Sequence, residues 1–349
     1  MVHVYISGTT GGGKSYLARV LVEEASLHKG LNILVLDPRN QSAGLLVAED
    51  RQKILQQYEI FGMKPERARG FGFNYYAPGL PYAPMLPTEL QEVARGRSIV
   101  SFKGLDDAAR CALAGRILDA AFEAYNSAES ERPRLLILVD EAQLLTRKRV
   151  DGTAKSAAAH AERALDRIAR EGRKFGIVLT LVSQTVKDFG YELASIRQMT
   201  TTKIFLRNSD REIGYASDVI GDGRLLVQLP TATAIIHNAH WGAVRVRVRP
   251  PFSKVHDMAE AQLRQLVGPN RDATATISAA AQGLLTAIKQ HASPDQPLNM
   301  SRAAILSGIS SKRRLIELVS ELEHAGLIRT KQLVERGRPR VIEFISTST

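Results

Sequence analysis

The sequence has little of what stabilises secreted and membrane proteins. Its single cysteine, Cys111, excludes an internal disulfide and a cysteine-rich zinc site. No apolar run approaches the roughly 20 residues that span a bilayer, and the first predicted strand lies at the N-terminus. We therefore expect a cytoplasmic protein with no signal peptide and no membrane anchor. Cys111 is expected to be a buried apolar residue on an alanine-rich helix over residues 106–124.

Positive charge is what the chain has in excess. The formal net charge is +11, and it is unevenly distributed. Between Arg147 and Lys174 there are nine Lys/Arg and four Asp/Glu, and from Ile277 onward there are ten and six. Two basic blocks indicate a polyanionic partner, most simply nucleic acid. General solubility is the alternative explanation for the charge taken alone.

Residues 8–15, Gly-Thr-Thr-Gly-Gly-Gly-Lys-Ser, match the phosphate-binding pattern G-x-x-x-x-G-K-[ST] in full. A predicted strand precedes them and a predicted helix over 16–24 follows, so backbone N–H groups at a helix N-terminus would surround phosphates. Lys14 is expected to reach the β/γ-phosphates and Ser15 to bind Mg²⁺. A glycine-rich turn with a chance lysine is the alternative. The residues predicted to bind the nucleotide are Gly8, Thr10, Gly11, Gly12, Gly13, Lys14, Ser15 and Tyr16.

Two further apolar strands end in polar side chains. The run 135–139 is followed by Asp140, expected to hold Mg²⁺, and by Glu141, expected to orient and deprotonate the attacking water. The strand 177–183 is followed by Gln184, which is placed to sense the γ-phosphate. The alternatives are a strand that ends at a polar turn and an ordinary strand-end glutamine.

Short β-rich runs alternate with helical stretches along the first 250 residues. Runs at 2–7, 32–37, 98–103, 134–140 and 177–183 predict an α/β fold with a parallel sheet covered by helices on both faces. Runs at 201–207, 225–229, 232–237 and 244–248 are expected to extend the sheet or add a hairpin at its edge. The proline-rich segment 75–87 predicts a surface loop.

The pattern changes near residue 270, which predicts a domain at 1–268, a linker at 269–276 and a second domain at 277–349. Helices predicted at 277–291, 299–306 and 311–325, the last capped by Ser310, precede strands at 327–334 and 341–345; this is the order of a winged helix. Contacts with another protein are the alternative role for such a domain. The DNA contacts predicted here are Lys312, Arg313 and Arg314 on the third helix, and Arg336, Arg338 and Arg340 on the wing.

The succession GTTGGGKS, LLILVDEAQ and REGRKFGIVLTLVSQT, followed by a basic, strand-rich tail, resembles the FtsK/HerA superfamily of ring-forming DNA motors. The resemblance covers residues 1–250. It implies a RecA-like P-loop NTPase fold with a mostly parallel sheet, double-stranded DNA as a partner and a homo-oligomer, namely a hexamer. We expect no counterpart here of the barrel of the HerA branch or of the membrane segment of the FtsK branch.

In that superfamily an arginine from one subunit completes the ATP site of the next, and the match places it at Arg173. Arg170 is the second candidate, and a solvated helix face is the alternative explanation for both. Arg147, Lys148 and Arg149, just after Glu141, are predicted to grip DNA phosphates in a central channel.

The expected function is an ATP- and Mg²⁺-dependent ring motor that translocates double-stranded DNA. The biological role of such a motor could be genome packaging, resection with a nuclease or DNA transfer. A packaging role would imply a viral capsid or portal partner and association with a virion, and resection would imply a nuclease partner. The rivals are a partition or regulatory ATPase and an assembly ATPase of the zonula-occludens-toxin type. Thr9, where partition ATPases carry a signature lysine, and the acid at Glu141 argue against the first rival.

Overall fold

The chain folds into two compact units. One comprises Met1–Gly79 and Leu86–Ala259, and the other comprises Leu80–Met85 and Glu260–Thr349. The computed structural model describes residues 3–146, 150–152, 154–184, 196, 199–208, 213–255, 258–268, 279–291, 298–324, 328–332 and 340–344. The predicted linker, 269–276, lies outside these residues.

In the first unit, the described residues form one nine-stranded sheet. Its strands are β1 (Val4–Ser7), β2 (Asn32–Asp37), β3 (Asn74–Tyr76), β4 (Arg97–Ser101), β5 (Leu135–Val139), β6 (Ile177–Ser183), β7 (Thr202–Phe205), β8 (Thr233–Asn238) and β9 (Gly242–Arg247). Their order is β3-β4-β2-β5-β6-β1-β7-β8-β9. The pairs β7–β8 and β8–β9 are antiparallel and the other pairs are parallel. The predicted α/β class with a mostly parallel sheet is confirmed.

Helices connect the strands and bury both faces of the sheet. The α-helices are α1 (Lys14–Ala25), α2 (Gln52–Leu55), α3 (Asp107–Glu123), α4 (Ala154–Glu171) and α5 (Ile213–Ile220). Short 3₁₀ helices lie at Ser42–Leu46, Gln56–Phe61, Pro65–Arg67, Leu90–Ala94, Ala142–Leu145, Gly172–Phe175 and Gly223–Leu226. Alternate residues of β2 divide between the faces: Leu34 and Leu36 pack in the core that α3 and α4 share, whereas Val35 faces α1.

Helix α3 shows how sequence sets these elements. Asp106 caps its N-terminus, because the Asp106 Oδ1 atom accepts a hydrogen bond from the Ala109 N–H at 2.7 Å. Cys111 is buried on α3, as the sequence predicts, and burial raises the pKa of its thiol to about 11. The cysteine is therefore a small apolar core residue.

One predicted strand is wrong. Residues 225–229 were expected to be extended, but Gly223–Leu226 forms a 3₁₀ helix. The Asp222 Oδ1 atom accepts the Arg224 N–H at 3.0 Å, and Leu226 packs with Phe205 in a small core. A capped turn with an inward leucine therefore outweighs the β-propensity of the run.

The second unit, taken by itself, combines helices with a small antiparallel sheet. Its elements are α6 (Glu260–Val267), α7 (Ala279–His291), β10 (Leu298–Asn299), α8 (Met300–Leu306), α9 (Lys312–His324), β11 (Ile328–Gln332) and β12 (Arg340–Phe344). The strands lie in the order β10-β12-β11. Its core contains Leu284, Ile288, Leu315, Leu318 and Leu322, which lie on α7 and α9.

The cap of α9 differs from the predicted one. The Ser311 Oγ atom, not that of Ser310, accepts the Arg314 N–H at 3.3 Å, and α9 begins one residue later than predicted.

Across the described residues of both units, no helix is long and apolar enough to cross a membrane.

After β9, residues 249–255 of the first unit run along α1. We call this segment the strap. Glu23 is the buried anchor of this strap. Its carboxylate accepts the Ser253 N–H at 2.8 Å and the Phe252 N–H at 3.0 Å, and it pairs with Arg249 at 2.8 Å. The guanidinium of Arg249 also lies 3.9 Å from the centre of the Phe252 ring. The strap therefore depends on an ion pair whose carboxylate is fully buried.

We expect Glu23→Ala to lower the free energy of unfolding by about 3 kcal/mol, because it removes the buried partner of Arg249 and leaves two backbone N–H groups buried and unpaired. Glu24→Ala is the matched control, since Glu24 is half exposed and also pairs with Arg249. That change is expected to cost about 1 kcal/mol or less. Urea titrations of the two variants measure the difference, and equal costs would contradict the anchoring role.

Candidate functional site

The phosphate loop lies between β1 and α1, as the sequence predicts. Gly11 and Gly13 have φ values of 73° and 96°, which are left-handed and favour glycine. Gly12 is constrained by space instead, because a Cβ atom there would lie 2.8 Å from the Arg207 carbonyl oxygen. Each of the three glycines therefore has a conformational or steric reason to be there.

The loop is held from the side by the segment that follows β7. The Arg207 carbonyl oxygen accepts the Thr9 N–H at 3.0 Å and the Thr9 hydroxyl at 3.2 Å. Lys14 is buried, and its Nζ atom donates to the Thr9 carbonyl oxygen at 3.1 Å. Burial lowers the pKa of Lys14, and the nearby Glu141 and Asp140 oppose that shift. The lysine is thus positioned against its own loop, with acidic groups close by.

Asp140 and Glu141 lie where β5 ends, and both are buried. Burial, with the carboxyls of Asp37 and Glu141 nearby, raises the pKa of Asp140 to about 7. Glu141 itself has a φ of 45°, a left-handed conformation that is unusual for a residue other than glycine. Such backbone strain is typical of functional sites.

Gln184 connects the phosphate loop to Glu141. Its Nε2 atom donates to both carboxylate oxygens of Glu141 at 2.9 Å, and its Oε1 atom accepts the Thr10 hydroxyl at 3.2 Å. Gln143 also donates its side-chain amide to Glu141. The structure thus brings together three residues that the sequence singled out from separate strands.

A second group of residues at this site was missed by the sequence reasoning. The Ser15 hydroxyl donates to the Gln41 Oε1 atom at 2.9 Å, and the buried Arg19 donates to the Gln41 carbonyl oxygen at 2.5 Å. Asp37 is fully buried beside Asp140, because the register of β2 with β5 pairs Leu36 with Val139. The available signal was an apolar strand, β2, that ends in an acid just as β5 does.

Tyr16, also predicted to bind the nucleotide, lies on the first turn of α1 and is half buried. Burial raises the pKa of its phenol. Gly8 is the first residue of the phosphate-binding pattern and has little free space around it, because a Cβ there would lie 3.0 Å from the Leu206 side chain. The predicted nucleotide-binding residues therefore occupy one continuous segment at the carboxyl edge of the sheet.

Arg173 lies far from this group. It belongs to the 3₁₀ helix Gly172–Phe175 before β6, whereas Gln184 follows β6, and a seven-residue strand spans about 23 Å. Arg173 is exposed and has no ion-pair partner among the described residues. Arg170 is exposed as well, but its Nε atom pairs with Asp166 at 2.7 Å. Neither arginine reaches the phosphate loop of its own chain.

The predicted DNA contacts are only partly described. Lys312, Arg313 and Arg314 form the exposed first turn of α9. Arg340 is the first residue of β12. Five others, Arg147, Lys148, Arg149, Arg336 and Arg338, lie outside the described residues.

Comparison with known proteins places this chain in a family. The family model described as helicase HerA, central domain, matches residues 2–200, which is more than half of the chain. The chain belongs to the HerA central-domain family. It is accordingly an ATP-hydrolysing enzyme, and the FtsK/HerA resemblance is confirmed.

Solved structures with similar folds were found as well, whereas no curated protein matches the sequence. The genome packaging NTPase B204 of Sulfolobus turreted icosahedral virus 2, in complex with ATP-gammaS, is 14% identical; the match covers 71% of this chain and 97% of that one, with a TM-score of 0.42. VirB4 of Thermoanaerobacter pseudethanolicus is 16% identical, with 75% and 90% covered and a TM-score of 0.42. EccC (ATPases 2 and 3) of Thermomonospora curvata is 16% identical, with 76% and 42% covered and a TM-score of 0.41.

The raised pKa of Asp140 makes the stability of this HerA-family ATPase depend on pH. The pKa is about 7 in the folded protein and about 3.9 in an unfolded chain, so between these values the folded state retains a proton that the unfolded state releases. Stability from this group is therefore full at low pH and is lost as pH rises towards 7.

In protein free of metal and nucleotide, Asp140→Asn is expected to increase the free energy of unfolding at pH 8 by roughly 2 kcal/mol, with a smaller gain at pH 5. The asparagine keeps an oxygen that can accept the Glu141 N–H. Urea titrations from pH 5 to 8 measure the effect, with the exposed Glu89→Gln as control. A gain that does not change with pH would contradict the interpretation.

Proposed function

We propose that this ATPase is a ring-shaped motor that translocates double-stranded DNA. The observation that carries the proposal is the position of Arg173, at the opposite edge of the sheet from the phosphate loop of its own chain. Membership of the HerA central-domain family and the net charge of +11 support the same function.

We assign ATP and Mg²⁺ to the phosphate loop and the adjacent acid. The backbone N–H groups at the start of α1 suit phosphates, and Lys14 lies beside them. The Ser15 hydroxyl and the Asp140 carboxylate offer the oxygen ligands that Mg²⁺ prefers. When bound, Mg²⁺ neutralises charge that develops on the transferring phosphoryl group. The residues present therefore fit both groups.

Glu141 is assigned as the base that takes a proton from the attacking water. Its carboxylate is held by the side-chain amides of Gln184 and Gln143. Because the Gln184 Oε1 atom also accepts the Thr10 hydroxyl, a phosphate that binds at the loop competes with Gln184 for this hydroxyl donor. Gln184 thereby senses the γ-phosphate and adjusts the orientation of Glu141.

Arg173 is assigned as the arginine that completes the ATP site of a neighbouring subunit. A guanidinium near the γ-phosphate stabilises the charge of the transition state. Since β6 separates Arg173 from the site of its own chain, only an oligomer can bring the two together. A hexamer in which each site is completed in trans satisfies this requirement.

A second candidate function is an assembly ATPase whose C-terminal unit contacts protein. The observation in its favour is exposed apolar surface on α8 and α9, where Ile305 is 79% and Ile316 is 52% exposed. A winged helix that contacts only DNA has no need for these two side chains. The proposals differ in whether DNA accelerates ATP hydrolysis.

Long duplex DNA is expected to increase the rate of ATP hydrolysis severalfold, because DNA orders the ring in which the arginines act. Glu141→Gln is expected to reduce kcat by at least about 100-fold while ATP still binds. Steady-state hydrolysis with and without DNA measures the first effect, and equilibrium ATP binding checks the second. An unchanged rate with DNA would refute the translocase and favour the assembly ATPase.

Mixing variants tests the trans arrangement. Lys14→Ala and Arg173→Ala proteins are each expected to be nearly inactive alone. In a mixed ring, a Lys14→Ala subunit supplies an intact Arg173 to its neighbour's intact phosphate loop, so part of the activity returns. Arg170→Ala is the matched control and should retain activity, because Arg170 already pairs with Asp166. No recovery in mixtures that are shown to assemble would contradict trans action by Arg173.

A further inference from the structure

The β8–β9 hairpin presents a surface that the proposed function does not yet use. Strand β9 is the last strand of the nine-stranded sheet, and every residue from Gly242 to Arg245 is exposed. Trp241, at the hairpin turn, is 54% exposed. Arg245 and Arg247 project from the same face of β9, since they are two residues apart. We call Trp241, Arg245 and Arg247 the basic hairpin edge.

The turn that carries Trp241 is held firmly. The Asn238 carbonyl oxygen accepts the Trp241 N–H at 3.3 Å, and the Asn238 Oδ1 atom accepts the His240 N–H at 2.9 Å. The Asn238 amide in turn donates to the Thr202 hydroxyl on β7 at 2.8 Å. The aromatic side chain is therefore displayed on an anchored turn, at the edge of the sheet where β7 begins.

The stretch of sequence that contains this edge carries charged side chains of one sign. No aspartate or glutamate occurs from residue 223 to residue 256, a stretch with five Lys/Arg. Among the described residues neither Arg245 nor Arg247 has an ion-pair partner, and the guanidinium of Arg247 lies 5.6 Å from the centre of the Phe61 ring. Arginines that are not paired with an acid keep their attraction for a polyanion.

We propose that the basic hairpin edge binds the phosphodiester backbone of DNA, with Trp241 packed against the nucleic acid. The inference rests on the proposed function and adds a contact surface outside the phosphate loop, the segment 147–149 and the C-terminal unit. Arginines supply the phosphate contacts, and an exposed aromatic ring supplies stacking or wedging contacts.

DNA fits this edge better than a second copy of the chain does. A copy carries the same formal charge of +11, so its surface brings no net complementary charge. The exposed strand edge also carries arginines, a feature that opposes pairing with another strand. A polyanion satisfies both arginines without adding a strand.

Trp241 is the only tryptophan of the chain, so the protein carries its own reporter of this contact. The full-length protein is titrated with an unlabelled mixed-sequence duplex, and quenching of tryptophan fluorescence by acrylamide is measured at each step. Sedimentation of the same mixtures measures binding independently. We expect the duplex to reduce acrylamide quenching of Trp241 at least about twofold, over the same concentrations at which binding occurs.

Variants then test the arginines. Arg245→Ala/Arg247→Ala is expected to weaken duplex binding roughly 10-fold at moderate salt and to reduce the slope of log K against log salt by about 2. The matched control, Lys53→Ala/Arg95→Ala, removes two exposed cations elsewhere on the same unit. In this control the duplex is expected to protect Trp241 from acrylamide as it does in the unchanged protein. Trp241→Phe confirms that the fluorescence arises at the hairpin.

Three results would overturn the inference. Duplex binding with unchanged quenching of Trp241 would refute the hairpin contact and leave the proposed function intact. Protection of Trp241 on oligomerisation without DNA would show a subunit interface instead. Absence of any duplex binding would refute the proposed function and the inference with it.

Discussion

Three carboxyl groups lie buried where parallel strands end, and the rest of the ATPase unit is organised around their charge. Asp37 and Asp140 end neighbouring strands, and Glu141 follows directly. Burial, together with repulsion from the nearby carboxyls of Asp37 and Glu141, raises the pKa of Asp140 to about 7. Lys14, Arg19 and the amides of Gln143 and Gln184 supply the opposing charge and donors. On our proposal, a bound Mg²⁺ would relieve the same repulsion.

The strap matters to the site because it packs on the helix that follows the phosphate loop. Helix α1 carries Lys14 and Ser15 at its start and Glu23 two turns later, so the phosphate loop and the strap share one rigid element. The buried pair of Glu23 with Arg249 holds the strap on that helix. Residues far apart in sequence thus fix the position from which the loop presents its lysine.

Sequence patterns predicted the strands that carry these groups, because strands buried on both faces are continuously apolar and end in polar residues. Asp140, Glu141 and Gln184 could be found this way, and Lys14 could be found from the glycine-rich pattern at residues 8–15. Gln41 and Arg19 could not, because neither stands in a recognisable motif and their roles depend on how Ser15 and the 42–46 turn meet in space. The strand predicted at 225–229 was wrong for a related reason. The cap at Asp222 and the burial of Leu226 favour a 3₁₀ helix there, and β-propensity takes neither into account.

The two edges of the sheet have different chemistry, and this division bears on how a ring would work. The carboxyl edge holds the phosphate loop and the buried acids, whereas the amino edge holds Arg173. The turn with Trp241 lies at the amino edge too, because Asn238 pairs with Thr202 at the start of β7. On our proposals, the arginine given to a neighbour and the hairpin that contacts DNA therefore belong to one rigid sheet. A movement that withdraws Arg173 after hydrolysis must then move the hairpin with it, which couples the chemical step to displacement of DNA without a separate lever.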